Sequence, residues 1–522
     1  MASISTGRKD ILQRIAAVTQ WDLLVIGGGA TGLGIALDAA VRGYKTLLVE
    51  QADFAKGTSS RSTKLVHGGV RYLAQGDIKL VREASIERGL LHRNAPHLVK
   101  DQTFIVPVYS LWSRLKYTIG LKLYDKISGK LSLGPSEFIS RKETMEKLPG
   151  VRSKGLKGGV LYYDGQFDDA RLAINLAQTI IEKGSEAINY MKVTGLHKNA
   201  EGQTDGASLL DTELNNVFSI KAKAVVNATG VFVDDILQMD KPGMEKSIRV
   251  SQGVHLVLNR SFFPSDHALM IPETSDGRVL FCVPWHGKVV VGTTDTPVAH
   301  ASLEPVALEQ EISFILDTAG EYLTVKPARK DVLSVFAGLR PLAAPQGGNQ
   351  KTKEISRSHK IIVSGSKLFT ILGGKWTTYR KMGEDMMNRV EKELQWPPKE
   401  SATAALPVHG YTTGTDWNDP FYFYGSDEAE VKAQENANSQ QWLSETLQVH
   451  GRQVVWAVRH EMARTVEDVL SRRTRALLLD AKESRRIAPQ VAAIMAAELG
   501  KDNAWIEMQV NAFNELSGKY LL

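Results

Sequence analysis

Cysteine is nearly absent: Cys282 is the only one in 522 residues. That excludes an intrachain disulfide and a cysteine-rich metal centre, and it fits a reducing compartment. No stretch reaches about 18 uninterrupted apolar residues, so no spanning helix is expected and any membrane contact would be peripheral. Residues 1–20 break their short apolar pieces with Arg8, Lys9, Asp10 and Arg14, and they lack the apolar core of a secretory signal. Low-complexity tracts and repeats of solenoid period are missing as well. Charge of one sign is only modestly in excess, at +6 net. Such a surplus favours anionic partners, phosphorylated metabolites or acidic lipid, and is no nucleic-acid footprint. The chain is too long for one core, so two or three domains are expected.

What the sequence does have begins at Trp21. An apolar run, Leu23 to Ile26, enters Gly27, Gly29 and Gly32, and a helical pattern follows from Leu33 to Arg42. This is the G-x-G-x-x-G turn of a dinucleotide-binding βαβ unit. Gly27 permits the tight turn, Gly29 lets backbone approach a pyrophosphate, and Gly32 lets helix pack on strand. The helix N-terminus would face the phosphates. A second apolar strand, Lys45 to Val49, ends in Glu50, about 20 residues on, where an acid should meet the adenosine ribose.

Next comes Thr58-Ser-Ser-Arg-Ser-Thr-Lys-Leu-Val-His-Gly-Gly-Val-Arg-Tyr-Leu73. Small hydroxyl residues before a Gly-Gly pair suggest a loop wrapped closely around a phosphate or ring system. His67, Arg71 and Tyr72 add a titratable group, a fixed cation and a hydroxyl; a polar loop packed under the first domain is the alternative. Ile78 to His92 reads as a helix. Trp112 to Leu131 is a basic amphipathic piece in which Arg114, Lys116, Lys122, Lys126 and Lys130 alternate with apolar residues. It suits a membrane interface, or a hairpin with solvated lysines, and Gly120 and Gly129 weaken a continuous helix.

Asp168-Asp-Ala-Arg171 opens another helix. Ala224-Val-Val-Asn-Ala-Thr-Gly230 is an apolar strand ending in a small-residue turn, a second close approach to a cofactor. Residues 249–296 alternate as an antiparallel sheet with a hairpin at Trp285-His-Gly-Lys288, and Thr293-Thr-Asp295 returns towards the cofactor. Ala337 to Leu342 and Ile355 to Ser358 precede a strand from Leu368 to Leu372. Gly373-Gly-Lys-Trp-Thr-Thr-Tyr-Arg380 then forms an anion-facing helix start. Trp396 to Gly414 reads as a linker and the remainder as helical. There Val455, Val458, Met462, Val466 and Val469 make an apolar stripe, and the surrounding arginines make domain-docking salt bridges.

The motifs GGGATGLG, TSSRSTKLVHGGVRYL, DDARL, VVNATG, VGTTD, AGLRPL and GGKWTTYR occur in an order that resembles the FAD-dependent glycerol-3-phosphate dehydrogenases. EMARTVEDVLSRRTRAL resembles the C-terminal helical domain of that family, so the likeness covers nearly the whole chain. One departure is Arg61, where members often carry a small residue. The resemblance implies an α/β fold: a glutathione-reductase-like FAD-binding Rossmann domain over 18–100, 150–245 and 335–392. An antiparallel-sheet substrate domain over 101–149 and 246–334, and a helical domain over 405–522, complete it.

The same resemblance implies oxidation of sn-glycerol 3-phosphate to dihydroxyacetone phosphate, with electrons passed to a membrane quinone. The place expected is cytoplasmic, peripheral on the inner face of the cell membrane, with a homodimer left open and no metal. Cofactor contacts are expected at Gly27, Gly29, Ala30, Thr31, Gly32 and Glu50. The hydroxyl-rich loop adds Thr58, Ser59, Ser60, Lys64, Leu65, His67 and Gly68. Val193, Ala228, Thr229, Gly230, Asp295, Gly374, Lys375, Trp376 and Thr377 complete the set. Chemistry requires a base for the hydroxyl proton and a cation for developing negative charge. His67 is the candidate base, because imidazole titrates near working pH. Lys375 lies by resemblance near the flavin and the substrate oxygens, and Arg340 joins these two as catalytic. Arg71, Arg340 and Arg357, with Tyr72, would grip the phosphate. A dioxygen-reducing oxidase, an amino-acid oxidase and a flavin-binding scaffold without turnover are the rivals.

Overall fold

The computed structural model describes residues 6–69, 77–129, 133–274, 277–344, 358–434 and 439–522. Arg71, Tyr72, Lys130 and Arg357 fall outside them.

The fingerprint strand Trp21–Ile26 lies mid-sheet, parallel to Val217–Asn227 on one side and to Thr46–Val49 on the other. Glu186–Ile188 continues the sheet beyond Thr46–Val49, and Leu368–Leu372 and Lys360–Val363 continue it beyond Val217–Asn227. Strands covered on both faces read as unbroken apolar runs, and Leu23 to Val25 are fully buried. Helices Ala30–Val41, Asp169–Glu182 and Tyr379–Glu393 pack beside one another. Two of these helices cross where glycines let backbone meet backbone: a Cβ on Gly34 would lie 2.4 Å from the Tyr379 carbonyl oxygen, and one on Gly383 would lie 2.3 Å from that of Gly34.

Among the described residues the second sheet has ten strands. Ile248–Asn259 pairs antiparallel with both Lys288–Gly292 and Val332–Ala343, and the Trp285–Lys288 hairpin closes as the sequence suggests. Ala268–Ile271 runs parallel beside Val99–Val108, and Gly158–Phe167 follows antiparallel. Both Gly158–Phe167 and Val332–Ala343 belong to this sheet; the first lies within the range expected for the cofactor domain, and the second straddles the expected boundary between 334 and 335.

The basic amphipathic piece is one helix, Leu111–Ser128, running through Gly120 and ending at Gly129 with φ +55. Ser110 caps its start, accepting from the Ser113 amide at 3.0 Å. Its own Leu121 and Tyr124 are buried, whereas Leu111, Trp112, Leu115, Ile119 and Leu123 are exposed.

The C-terminal stripe departs from a single helix. Gly451–His460 stops at Glu461, Met462 takes φ +57, and Asp468–Arg473 winds as a wider turn. Two carboxylates account for the break. Glu461 is drawn to Arg171 at 2.6 and 2.8 Å, and Asp468 accepts from the Arg464 and Thr465 amides at 2.8 and 2.9 Å. The arginines dock the domain as expected: Arg472 and Arg473 both bond buried Asp53, and Arg475 lies 3.0 Å from Asp168.

Candidate active site

One cavity of about 820 Å³ runs between the two sheets, within the size range of cofactor sites. At one end the glycine turn shapes it. Gly27 has φ +113, and a Cβ there would lie 2.7 Å from the Ala228 carbonyl oxygen. Gly27, Gly29, Ala30 and Thr31 line the cavity, as do Ala228, Thr229 and Gly230 from the turn after the parallel neighbour strand, and Val193. Gly32 stands behind them. A Cβ on it would meet the Gly27 carbonyl oxygen at 1.8 Å, so its role in the structure is to let helix close on strand.

Glu50 also faces the cavity. Its carboxylate accepts from the Gly28 amide at 2.7 Å and the Ala52 amide at 2.9 Å. Burial pushes its pKa above the ordinary value, and these two bonds pull it back. Each oxygen keeps a second lone-pair direction for a ribose hydroxyl.

Thr58, Ser59, Leu65 and His67 line the middle of the cavity. Ser59 ties two walls together: its hydroxyl accepts from the Ala30 amide at 2.9 Å, and its carbonyl accepts from the Trp376 indole at 2.7 Å. Lys64 does not reach the cavity. Its ammonium is buried, 2.8 Å from Asp169 and 2.6 Å from the Ser60 carbonyl, so it anchors the hydroxyl-rich loop to helix Asp169–Glu182. Ser60 and Gly68 also stand outside the lining. A Cβ on Gly68 would lie 2.3 Å from the Tyr124 hydroxyl, and its amide donates to Asp164 at 3.3 Å. Asp164, which does line the cavity, is bonded in turn by Arg88 at 2.6 Å and by Tyr124 of the amphipathic helix at 3.0 Å.

The far end gathers Gly374, Lys375, Trp376 and Thr377 with Arg340, Thr293 and His255. Gly373 and Gly374 take φ +72 and +95, bringing the turn before Lys375 against the cavity. Arg340 donates to Asp295 and Thr293, each at 3.3 Å, so Asp295 orients the guanidinium from behind the wall. Gly253 makes the space: a Cβ there would lie 2.2 Å from Arg340 Nη2.

Sequence reasoning missed His255. Its ring stacks on Phe336 at 4.9 Å, and Nε2 meets Thr63 Oγ1 at 2.9 Å. Burial, then the cations Arg340 and Lys64, hold its pKa well below the ordinary value, which keeps it neutral. A signal existed: a histidine in an apolar strand two residues from Gly253, opposite Gly292, whose Cβ would strike the ring at 2.4 Å.

A glycine cradle, an acid closing the second strand and an anion-facing Gly-Gly turn around one cavity are what a flavin dinucleotide requires. In agreement, the family model FAD dependent oxidoreductase matches residues 22–380, and that of the C-terminal domain of alpha-glycerophosphate oxidase matches 365–505. The protein is therefore an FAD-dependent oxidoreductase, with FAD as its cofactor.

Its relatives narrow the class. The chain is 40% identical to a probable mitochondrial glycerol-3-phosphate dehydrogenase of Caenorhabditis elegans, over 95% of this chain and 73% of the relative. The mitochondrial glycerol-3-phosphate dehydrogenase of Homo sapiens is 38% identical over the same shares. The FAD-complexed glycerol-3-phosphate dehydrogenase of Bacillus halodurans superposes with a TM-score of 0.79 at 31% identity, covering 98% of this chain and 97% of that one. The chain belongs to the glycerol-3-phosphate dehydrogenase family.

Proposed function

We propose that the protein oxidises sn-glycerol 3-phosphate to dihydroxyacetone phosphate and passes the electrons to a membrane quinone. The observation that carries the reading is the convergence of His67, His255, Arg340 and Lys375 on one cavity whose other end bears Glu50 and the glycine cradle. FAD supplies the two-electron acceptor for the hydride leaving the secondary carbon. The protein's own part is to hold the alcohol, take its proton and stabilise developing negative charge. Arg340, oriented by Asp295 and Thr293, and Lys375 supply the cations. Arg71, Tyr72 and Arg357, outside the described residues, are proposed to complete the phosphate grip, since a dianion in a partly desolvated pocket needs more than one cation.

His67 is the proposed base. His255 is a second reading favoured by its own geometry, a neutral imidazole held rigidly by Phe336 and Thr63. Steady-state pH profiles of His67→Asn and His255→Asn separate them: the base variant loses kcat and the acidic limb of the profile, and the other keeps both.

Quinone as acceptor and peripheral membrane contact rest on helix Leu111–Ser128. No helix among the described residues is long and apolar enough to cross a membrane. This one instead presents Leu111, Leu115, Ile119 and Leu123 as a stripe at helical spacing beside Trp112, which is 73% exposed. Lys116, Lys122 and Lys126 are available to anionic headgroups. The cytoplasmic, inner-face placement belongs to the same proposal.

A further inference from the structure

The stretch Asp53–Arg61 lines the cavity through residues 55–59 and through Arg61, and Ser59 ties it to the glycine turn and to Trp376. It is also gripped from distant parts of the chain at three places. Buried Asp53 takes Arg472 and Arg473, the latter with Nη2 at 2.9 Å. Lys56 pairs with Glu467 at 2.7 Å. Arg61, buried at the cavity wall, donates to the Leu303 carbonyl at 2.8 Å and to Glu304 Oε2 at 2.7 Å.

The other oxygen of Glu304 accepts from the Tyr520 hydroxyl at 2.5 Å, and the Tyr520 carbonyl accepts from the Val335 amide at 2.9 Å. Leu303 is itself part of the lining. Arg61 thus has a built receptor: a carboxylate, a carbonyl and a tyrosine beyond it. Every grip is a charge-assisted contact, and all are partly or fully shielded from water, so they hold position rather than merely solvate.

We infer that the C-terminal helical region is a clamp on the cofactor loop, and that Tyr520, Glu304 and Glu467 are positioning residues which slow the release of FAD. None of the three lines the cavity; they act through Arg61 and Lys56, which do. The Tyr520–Glu304–Arg61 chain is one tie and the Glu467–Lys56 pair is another.

The test is the rate at which FAD leaves the holoprotein, followed by flavin fluorescence with excess apo-flavoprotein as trap, beside the thermal unfolding midpoint. Tyr520→Phe removes one hydrogen bond and should speed release about 3- to 10-fold. Arg61→Met should speed it by roughly 10- to 100-fold, the effect of opening a charge-assisted tie. The double variant should be no faster than Arg61→Met, because both act on one tie, whereas Tyr520→Phe and Lys56→Met should multiply. Glu304→Gln keeps the shape and drops the charge, so it should fall between Tyr520→Phe and Arg61→Met even if Arg61→Met folds poorly. A lowered unfolding midpoint with unchanged FAD release in Tyr520→Phe and Glu304→Gln would overturn the clamp and leave a purely structural contact. Fully multiplicative effects of Arg61→Met and Tyr520→Phe would also overturn it.

Discussion

Gly253→Ala tests the position of Arg340 without touching Arg340. The added methyl would stand 2.2 Å from Nη2 and 2.7 Å from Cζ of the guanidinium, and 2.7 Å from Thr293 Oγ1. Ordinary carbon contacts begin near 3.5 Å, so the guanidinium must retreat by about an ångström. Its bond to Thr293, already at 3.3 Å, would break, while the arginine remains in the chain. Gly253 sits in a strand opposite Gly338, and its φ lies outside the left-handed region, so alanine carries no backbone strain. Stability should change little, because the roughly 0.5 kcal/mol gained by replacing a strand glycine is offset by the loss of the Thr293 bond, about 0.5–1.5 kcal/mol. Catalysis should suffer instead. Removing Arg340 altogether should reduce kcat/KM for sn-glycerol 3-phosphate by roughly 2–5 kcal/mol. Displacing it by one ångström should cost about half that, and the double variant should match Arg340→Ala, since only one cation is there to lose. Dye-linked steady-state kinetics, with FAD content and calorimetry as controls, read all three. Unchanged kcat/KM in Gly253→Ala, or full additivity with Arg340→Ala, would refute the placement of that guanidinium in the substrate's path.

Glu50→Ala should lower FAD affinity by roughly 1.5–3 kcal/mol and also lower Tm, because it strands the Gly28 and Ala52 amides as well as the ribose; full FAD occupancy at an unchanged Tm would contradict this. Leu115→Glu with Ile119→Glu should release the protein from anionic vesicles while dye-linked activity survives, and co-sedimentation at the wild-type level would move the membrane face elsewhere. His409 gives a pH signature. Burial opposes its charge, but Asp427 at 2.7 Å and Glu182 at 2.5 Å raise its pKa to about 9. A raised histidine stabilises fully below its unfolded pKa near 6.5 and loses that contribution as pH climbs through about 9. Up to about 3 kcal/mol should therefore disappear across that window, and His409→Ala should flatten the slope in denaturant titrations at stepped pH.

What could be read early was local. Gly27, Gly29, Gly32 and Glu50 declare themselves because a turn and a helix start impose steric needs within about 25 residues. Asp168 capping its helix and the Trp285–Lys288 hairpin follow from the same short-range rules. Long-range pairing was not legible. Lys64 carries a cofactor-loop motif, yet its ammonium is committed to Asp169, more than 100 residues away. Arg61 is unexplained until Glu304 and Tyr520 stand beside it. The break at Met462 is set by Arg171 drawing Glu461 inward, which no apolar period reports. His255 hides because a neutral buried histidine on a strand resembles core until the cavity is seen to open beside it.

The most direct test of the central claim is anaerobic. The yellow holoprotein is mixed with sn-glycerol 3-phosphate in the absence of any acceptor, and the flavin absorbance is followed. The account predicts stoichiometric bleaching with dihydroxyacetone phosphate as product, rapid recovery of colour on adding a short-chain quinone, and slow recovery in air. A flavin that stays oxidised with this substrate, yet bleaches with dithionite, would contradict it.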